Sequence, residues 1–162
     1  MQRYWIFGLI SVLIIALDQV TKSIIVSSVS GNDSLSVLPG LLNIVHVRNP
    51  GAAFGIMSQN HGYLSKIFLV GVSLAALIIV LFLVARIKEH DRYHITAYAF
   101  FFAGAAGNLI DRLRYGEVID FIDVYVGQYH WPAFNVADSA LCAGAGLLLL
   151  HSLRGSFRNL DA

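Results

Sequence analysis

Long apolar stretches separated by short polar ones run the length of this chain. After Arg3, residues 4–17 are apolar. If Asp18 and Gln19 are tolerated, a helix can continue to Val26, long enough to cross a hydrocarbon core of about 30 Å. Residues 63–85 give the clearest span: Ile67 to Ala85 carry no charge, and Gly71, Ser73, Ala75 and Ala76 leave room for a neighbouring helix. A third span is predicted over 93–114, weaker because Gly104, Ala105, Ala106 and Gly107 replace large side chains. The fourth covers 135–153, with Asn135 as N-cap and Asp138 in the first turn.

The segments between these spans differ in kind. Residues 27–36 are rich in Ser, Gly, Asn and Asp and read as a solvated loop. Leu42 to Arg48 alternates partially and uses strand-forming residues, and Asn49-Pro-Gly51 stops it as a turn, so an extramembrane β segment is expected over about 36–58. Gly51 to Gly55 is small enough to leave its peptide groups uncovered, which suits either close approach to another chain or ligand or a plain tight loop. Residues 115–133 read as a connection carrying Asp120, Asp123 and the interfacial aromatics Tyr125, Tyr129 and Trp131. The expected fold is an α-helical membrane protein, a single domain over 1–162. Four transmembrane helices carry a small extramembrane β element between helices 1 and 2. A cleaved signal peptide is not expected, because no small-x-small site follows the first apolar run and later spans make the chain multi-pass.

Composition narrows the function. The chain is 57% hydrophobic and 13% charged, against roughly 45–50% and about 25% for soluble domains. A net charge of +1 offers no basic face, which excludes nucleic acid as a partner. The single cysteine, Cys142, rules out an intrachain disulfide and is expected to be a small buried hydrophobe. His90 and His94 stand four apart without a third ligand, so neither a metal nor a cofactor is expected.

Parity places the polar residues. Four spans put both termini on one side, and Asp18, Lys22, Asn49 to Gly55, Asn108 to Asp123, Asn135 and Asp138 then gather at the opposite boundary. Arg3, Arg86, Lys88, Arg92, Arg154 and Arg158 lie on the side of the termini, against Lys22, Arg48, Lys66, Arg112 and Arg114 on the other. The positive-inside bias is small, and it puts the termini in the cytoplasm and the polar cluster outside.

Asp18 and Lys22 share a helix face with the acid first, the favourable order, and ionisable residues within a span point to a site they support. Asn108, Asp111 and Arg112 share another face. Two carboxyls brought within a few Å in a partly dry place hold one proton between them. One can then act as base to a water and the other as acid to a carbonyl, the aspartic-protease division of labour. Nucleophilic catalysis is unsupported: Ser139 has no base nearby in sequence. Spacing does not choose among Asp111, Asp120, Asp123 and Asp138. Asp111 could simply pair with Arg112, and Asp123 could be a solvated loop residue. A structural ion network, or a small multi-pass transporter or ion pathway using boundary carboxylates, stays open at this point.

Five motifs in order then resemble the bacterial lipoprotein signal peptidase (signal peptidase II) family of integral-membrane aspartic endopeptidases. They are Asp18-Gln-Val-Thr-Lys22, Arg48-Asn-Pro-Gly-Ala-Ala-Phe-Gly55, Gly107-Asn-Leu-Ile-Asp-Arg112, Gly116-Glu-Val-Ile-Asp-Phe121 and Trp131-Pro-Ala-Phe-Asn-Val-Ala-Asp138. The resemblance implies a catalytic dyad of Asp120 and Asp138. Asp18, Lys22, Asn49, Gly51, Ala53, Phe54, Asn108, Asp111, Arg112, Asn135 and Ala137 would bind substrate or support the site. It also implies a multi-pass protein of the bacterial inner membrane, a monomer among lipids. Its substrates would be diacylglyceryl-prolipoproteins, cut before the lipidated cysteine at the outer (periplasmic) face.

Overall fold

The computed structural model describes residues 1–31, 33–51, 63–89 and 91–158. In chain order its elements are α1 (Gln2–Ser28), β1 (Ser34–Leu38), β2 (Leu42–Asn49), α2 (Tyr63–Arg86), α3 (Arg92–Tyr115), β3 (Val118–Val126), β4 (Tyr129–His130) and α4 (Val136–Arg158). The small residues of α3 decide how the helices meet. Ala97, Ala99, Ala103, Gly104 and Gly107 are buried, and α1, α2 and α4 all pack against this one helix. A Cβ built on Gly104 would stand 2.5 Å from the Ala137 carbonyl oxygen, so α4 comes as near as a bare backbone allows. Close packing of this kind replaces the hydrophobic drive that is missing between helices in lipid.

Among the described residues three helical stretches are long and apolar enough to cross a membrane: Gln2–Ser28, Tyr63–Arg86 and Val136–Leu153. Helix α3, expected as a further span, is 24 residues long but falls short in hydropathy. Its place explains this. Neighbouring helices cover its small residues, while outward side chains such as Val12, Leu13, Ile78, Ile79 and Leu149 supply the apolar surface. At its N-terminus Asp91 caps the helix by accepting the His94 N–H and also pairs with the His94 ring. His90 lies outside the described residues.

The β element is larger than expected and differently composed. It is one antiparallel sheet of order β1-β2-β3-β4, and half of its strands come from the segment between α3 and α4 that reads as a connection in the sequence. Strand β1 also begins inside the expected 27–36 loop. In β3, Ile119 and Phe121 pack with Ile25 of α1 and Val29 just after it, so the intervening Asp120 points to the other face of the pleat. Aspartates at every third residue hide this alternation in the sequence. Strand β2 pairs with β3 in a register that sets Asn43 opposite Asp123 and Asn49 opposite Val118, with an irregularity between Ile44 and Val47. After β4 the chain returns along β3 through Phe134, which bridges to Ile122. Asn135 and α4 therefore begin beside Asp120.

Candidate active site

Asp120 sits on β3, not on a loop, and is only 2% exposed. Asn135 donates to its Oδ1 at 2.7 Å and Asn49 to its Oδ2 at 2.9 Å. Burial pushes its carboxyl up to about 6. The Asn49 bond opposes the rise, the negative charge of Asp138 adds to it, and the Asn135 bond and Lys22 oppose it. Such a group changes charge near neutral pH, as an acid–base residue should.

Asp138 lies at the third position of α4, where it and Asn135 cap one another. The Asp138 N–H donates to Asn135 Oδ1 at 2.9 Å, and the Asn135 N–H to Asp138 Oδ2 at 3.3 Å. This reciprocal capping box uses an Asp in the place of the usual Glu or Gln. Asn108 of α3 donates to Asp138 Oδ1 at 2.8 Å, and its own Oδ1 accepts from Asn135 at 3.2 Å. Two asparagines thus tie the carboxyls together, and both acids line one cavity of about 500 Å³. Its walls include Asn49, Leu69, Arg112, Trp131, Phe134 and Cys142. Cys142, expected to be buried, is exposed and faces this space; it follows Asp138 by four residues and so shares its helix face.

Beneath the acids lies a dry ion cluster. Lys22 is 3% exposed, Asp111 1% and Asp18 0%. Lys22 Nζ donates to Asp18 Oδ2 at 2.9 Å, Asp111 Oδ2 at 2.8 Å and Asn108 Oδ1 at 3.2 Å. Gln19, a residue that sequence reasoning passed over, donates to Asp18, Asp111 and the Gly107 carbonyl. Asp18 also accepts the Ala137 N–H at 2.9 Å, and Asp111 the Ile119 N–H at 3.1 Å. Pairing of Asp111 with its neighbour Arg112 is therefore corrected. Adjacent residues on a helix point about 100° apart, and Asp111 turns inward to Lys22. Arg112 instead reaches Ser73 at 3.4 Å and feels the charges of Asp138, Asp111 and Asp120.

The remaining sequence candidates divide. Gly51 follows the β2 turn, its N–H on Asn49 Oδ1 at 2.9 Å and its φ at +108°, a conformation that favours glycine. Ala53 and Phe54 lie outside the described residues. Asp123 is no solvated loop residue. It is 8% exposed, accepts from Asn43 at 3.0 Å and pairs with His130 at 2.8 Å. The Tyr125 ring stacks on His130 and closes this second cluster. Among the described residues no group of three or more His, Cys, Asp or Glu side chains could hold a metal.

Comparison with known proteins gives the class of this architecture first. Two solved structures of a bacterial membrane enzyme superimpose with a TM-score of 0.81. One is 39% identical and matches 91% of this chain and 92% of its own, the other 37% identical over 93% and 88%. The fold is that of a membrane enzyme. The description "Signal peptidase (SPase) II" matches residues 10–154, and the chain belongs to that peptidase family. Among its relatives is a lipoprotein signal peptidase of Syntrophotalea carbinolica, 43% identical over 97% of this chain and 96% of its own. Another, from Desulforapulum autotrophicum, is 43% identical over 88% of each.

Proposed function

We propose that the chain is a membrane-embedded aspartic endopeptidase that removes the signal peptide from diacylglyceryl-modified prolipoproteins, cutting before the lipidated cysteine. The observation that carries this reading is the convergence of Asp120 and Asp138 on one cavity, linked through Asn108 and Asn135. With one proton on the pair, the ionised carboxyl takes a proton from water as its oxygen adds to the scissile carbonyl. The protonated carboxyl gives its proton to the carbonyl oxygen. Collapse of the tetrahedral diol returns a proton to the leaving nitrogen, and the dyad regains its single proton. Leu69, Trp131, Phe134 and Leu141 give the same cavity apolar walls, which suit a lipid-bearing chain arriving from the bilayer. Arg112 faces both acids electrostatically, and its role is to orient the peptide carbonyls at the cut.

The single domain crosses the inner membrane four times, α3 included. Its termini are cytoplasmic, its site lies near the periplasmic face, and it works as a monomer. Purified protein in detergent, given a diacylglyceryl-modified prolipoprotein and the same precursor without lipid, tests the reading. Wild type cleaves only the lipidated form, and Asp120→Asn and Asp138→Asn cleave neither while remaining folded. Turnover by either variant removes the dyad assignment.

A further inference from the structure

Asparagine amides have two unlike ends, and around the dyad each is fixed by a donor that cannot reverse. Asn49 Oδ1 accepts the Gly51 N–H, so its amino group faces Asp120. Asn135 Oδ1 accepts the Asp138 N–H, so its amino group also faces Asp120. Asn108 has no backbone donor of this kind in its described bonds. Its Oδ1 is held by the Asn135 amino group and by Lys22. The Asn135 amino group has two hydrogens for three acceptors: Asn108 Oδ1, the Ile119 carbonyl at 3.3 Å and Asp120 Oδ1. Lys22 has three hydrogens for three acceptors, and one of them is Asn108 Oδ1.

We propose that Lys22 is a positioning residue for catalysis: its buried ammonium fixes the Asn108 amide so that the amino end always meets Asp138. A reversed amide would bring its carbonyl oxygen against the Asp138 carboxylate and its amino group against Lys22 and the Asn135 amino group. Asp18 and Asp111 hold Lys22 in place from the far side. The buried triad is thus connected to the chemistry by one side chain. Lys22 does not line the cavity that Asp138 and Asn108 line, so substrate does not touch it. Its effect belongs to kcat and not to KM.

This inference rests on the dyad reading, and Asp120→Asn and Asp138→Asn run beside every measurement so that the two can fail separately. Steady-state cleavage of the lipidated precursor is followed across pH for Lys22→Met, Asn108→Leu and the double variant. Lys22→Met is expected to lose at least tenfold in kcat with KM within twofold of wild type. The pH limb that Asp120 controls is expected to move to higher pH, because a positive charge that favours its ionised form has gone. In the Asn108→Leu background Lys22→Met should add less than twofold in kcat, since there is no amide left to orient. A purely structural lysine would lower the amount of folded enzyme and leave kcat per folded molecule where it was, and that result overturns the proposal. Independent, multiplying losses in the double variant overturn it as well. Should Lys22→Met not fold with two stranded carboxylates, Lys22→Met/Asp111→Asn is compared with Asp111→Asn alone, and the same kcat loss at constant KM is required. If the dyad variants themselves turn over substrate, the reading of the site has failed and not this link alone.

Discussion

Asn135 holds both acids of the proposed dyad at once: its amino group donates to Asp120 Oδ1 at 2.7 Å while its carbonyl oxygen accepts the N–H of Asp138. The cap that starts α4 and the bond that steadies the acid on β3 are two ends of one amide. Helix geometry and acid–base geometry therefore fail together or separately according to which end is changed.

Asn135→Ala removes both ends. The lost cap costs about 1 kcal/mol of stability, and turnover falls on the order of a hundredfold as Asp120 loses a donor. Asn135→Asp keeps the capping oxygen but sets a carboxylate against Asp120. Thermal unfolding should separate the two, with the Asp variant retaining the α4 cap, while cleavage assays find both impaired.

The raised pKa of Asp120 makes a second prediction with a definite sign. Its carboxyl stands near 3.8 when exposed and about 6 in the fold, chiefly because it is buried. Ionising it therefore opposes folding. The penalty is absent below about pH 4, grows between pH 4 and 6, and levels off above, at up to about 3 kcal/mol. The unfolding temperature of Asp120→Asn minus that of wild type is expected to rise across this interval and stay flat above pH 7. A difference that falls with pH contradicts the assignment.

The packing of α3 on α4 is tested by Gly104→Ala. The new methyl would meet the Ala137 carbonyl oxygen at 2.5 Å and Leu141 Cγ at 2.6 Å. Backbone must move, at a cost of about 1–3 kcal/mol, and with it the first turn that carries Asp138. Gly146→Ala, with nothing within 4 Å of the added carbon, serves as the control. It should be neutral or slightly stabilising, since Ala is the better helix former.

Asp123→Asn separates the second cluster from the first. The variant weakens the His130 pair and the Asn43 bond that join β4 and β2 to β3, with an expected loss of about 1–3 kcal/mol. Asp123 makes no bond to Asp120, Asp138 or the asparagines around them. Turnover per folded molecule should stay within roughly tenfold of wild type, whereas the dyad variants lose it.

Apolar run length makes α1, α2 and α4 legible in the sequence, α2 most clearly because residues 67–85 carry no charge, and the Asn-Pro-Gly turn marks the end of β2. Asn135 as a cap could be read from its place before an apolar run. Strand β3 could not be, because Asp120 and Asp123 interrupt its alternation on opposite faces for different reasons: one serves the cavity, the other a His130 clasp. The partner of Asp111 was equally hidden. Arg112 is next to it in sequence, but Lys22 is next to it in space, and only the packing of α1 on α3 reveals this. Gln19 offered no signal of its own beyond lying between Asp18 and Lys22.

Asp18, on the first helix, accepts the N–H of Ala137, the residue before Asp138 of the proposed dyad on α4. The two positions are made far apart in time on the ribosome. Until the final helix arrives, the first offers an acid and a lysine with no α4 start to hold, and Asp120 waits without Asn135. The bond that joins α1 to the start of α4, and the Asn135 bond that steadies Asp120, can therefore form only after α4 has been made, so the proposed site is assembled late in synthesis.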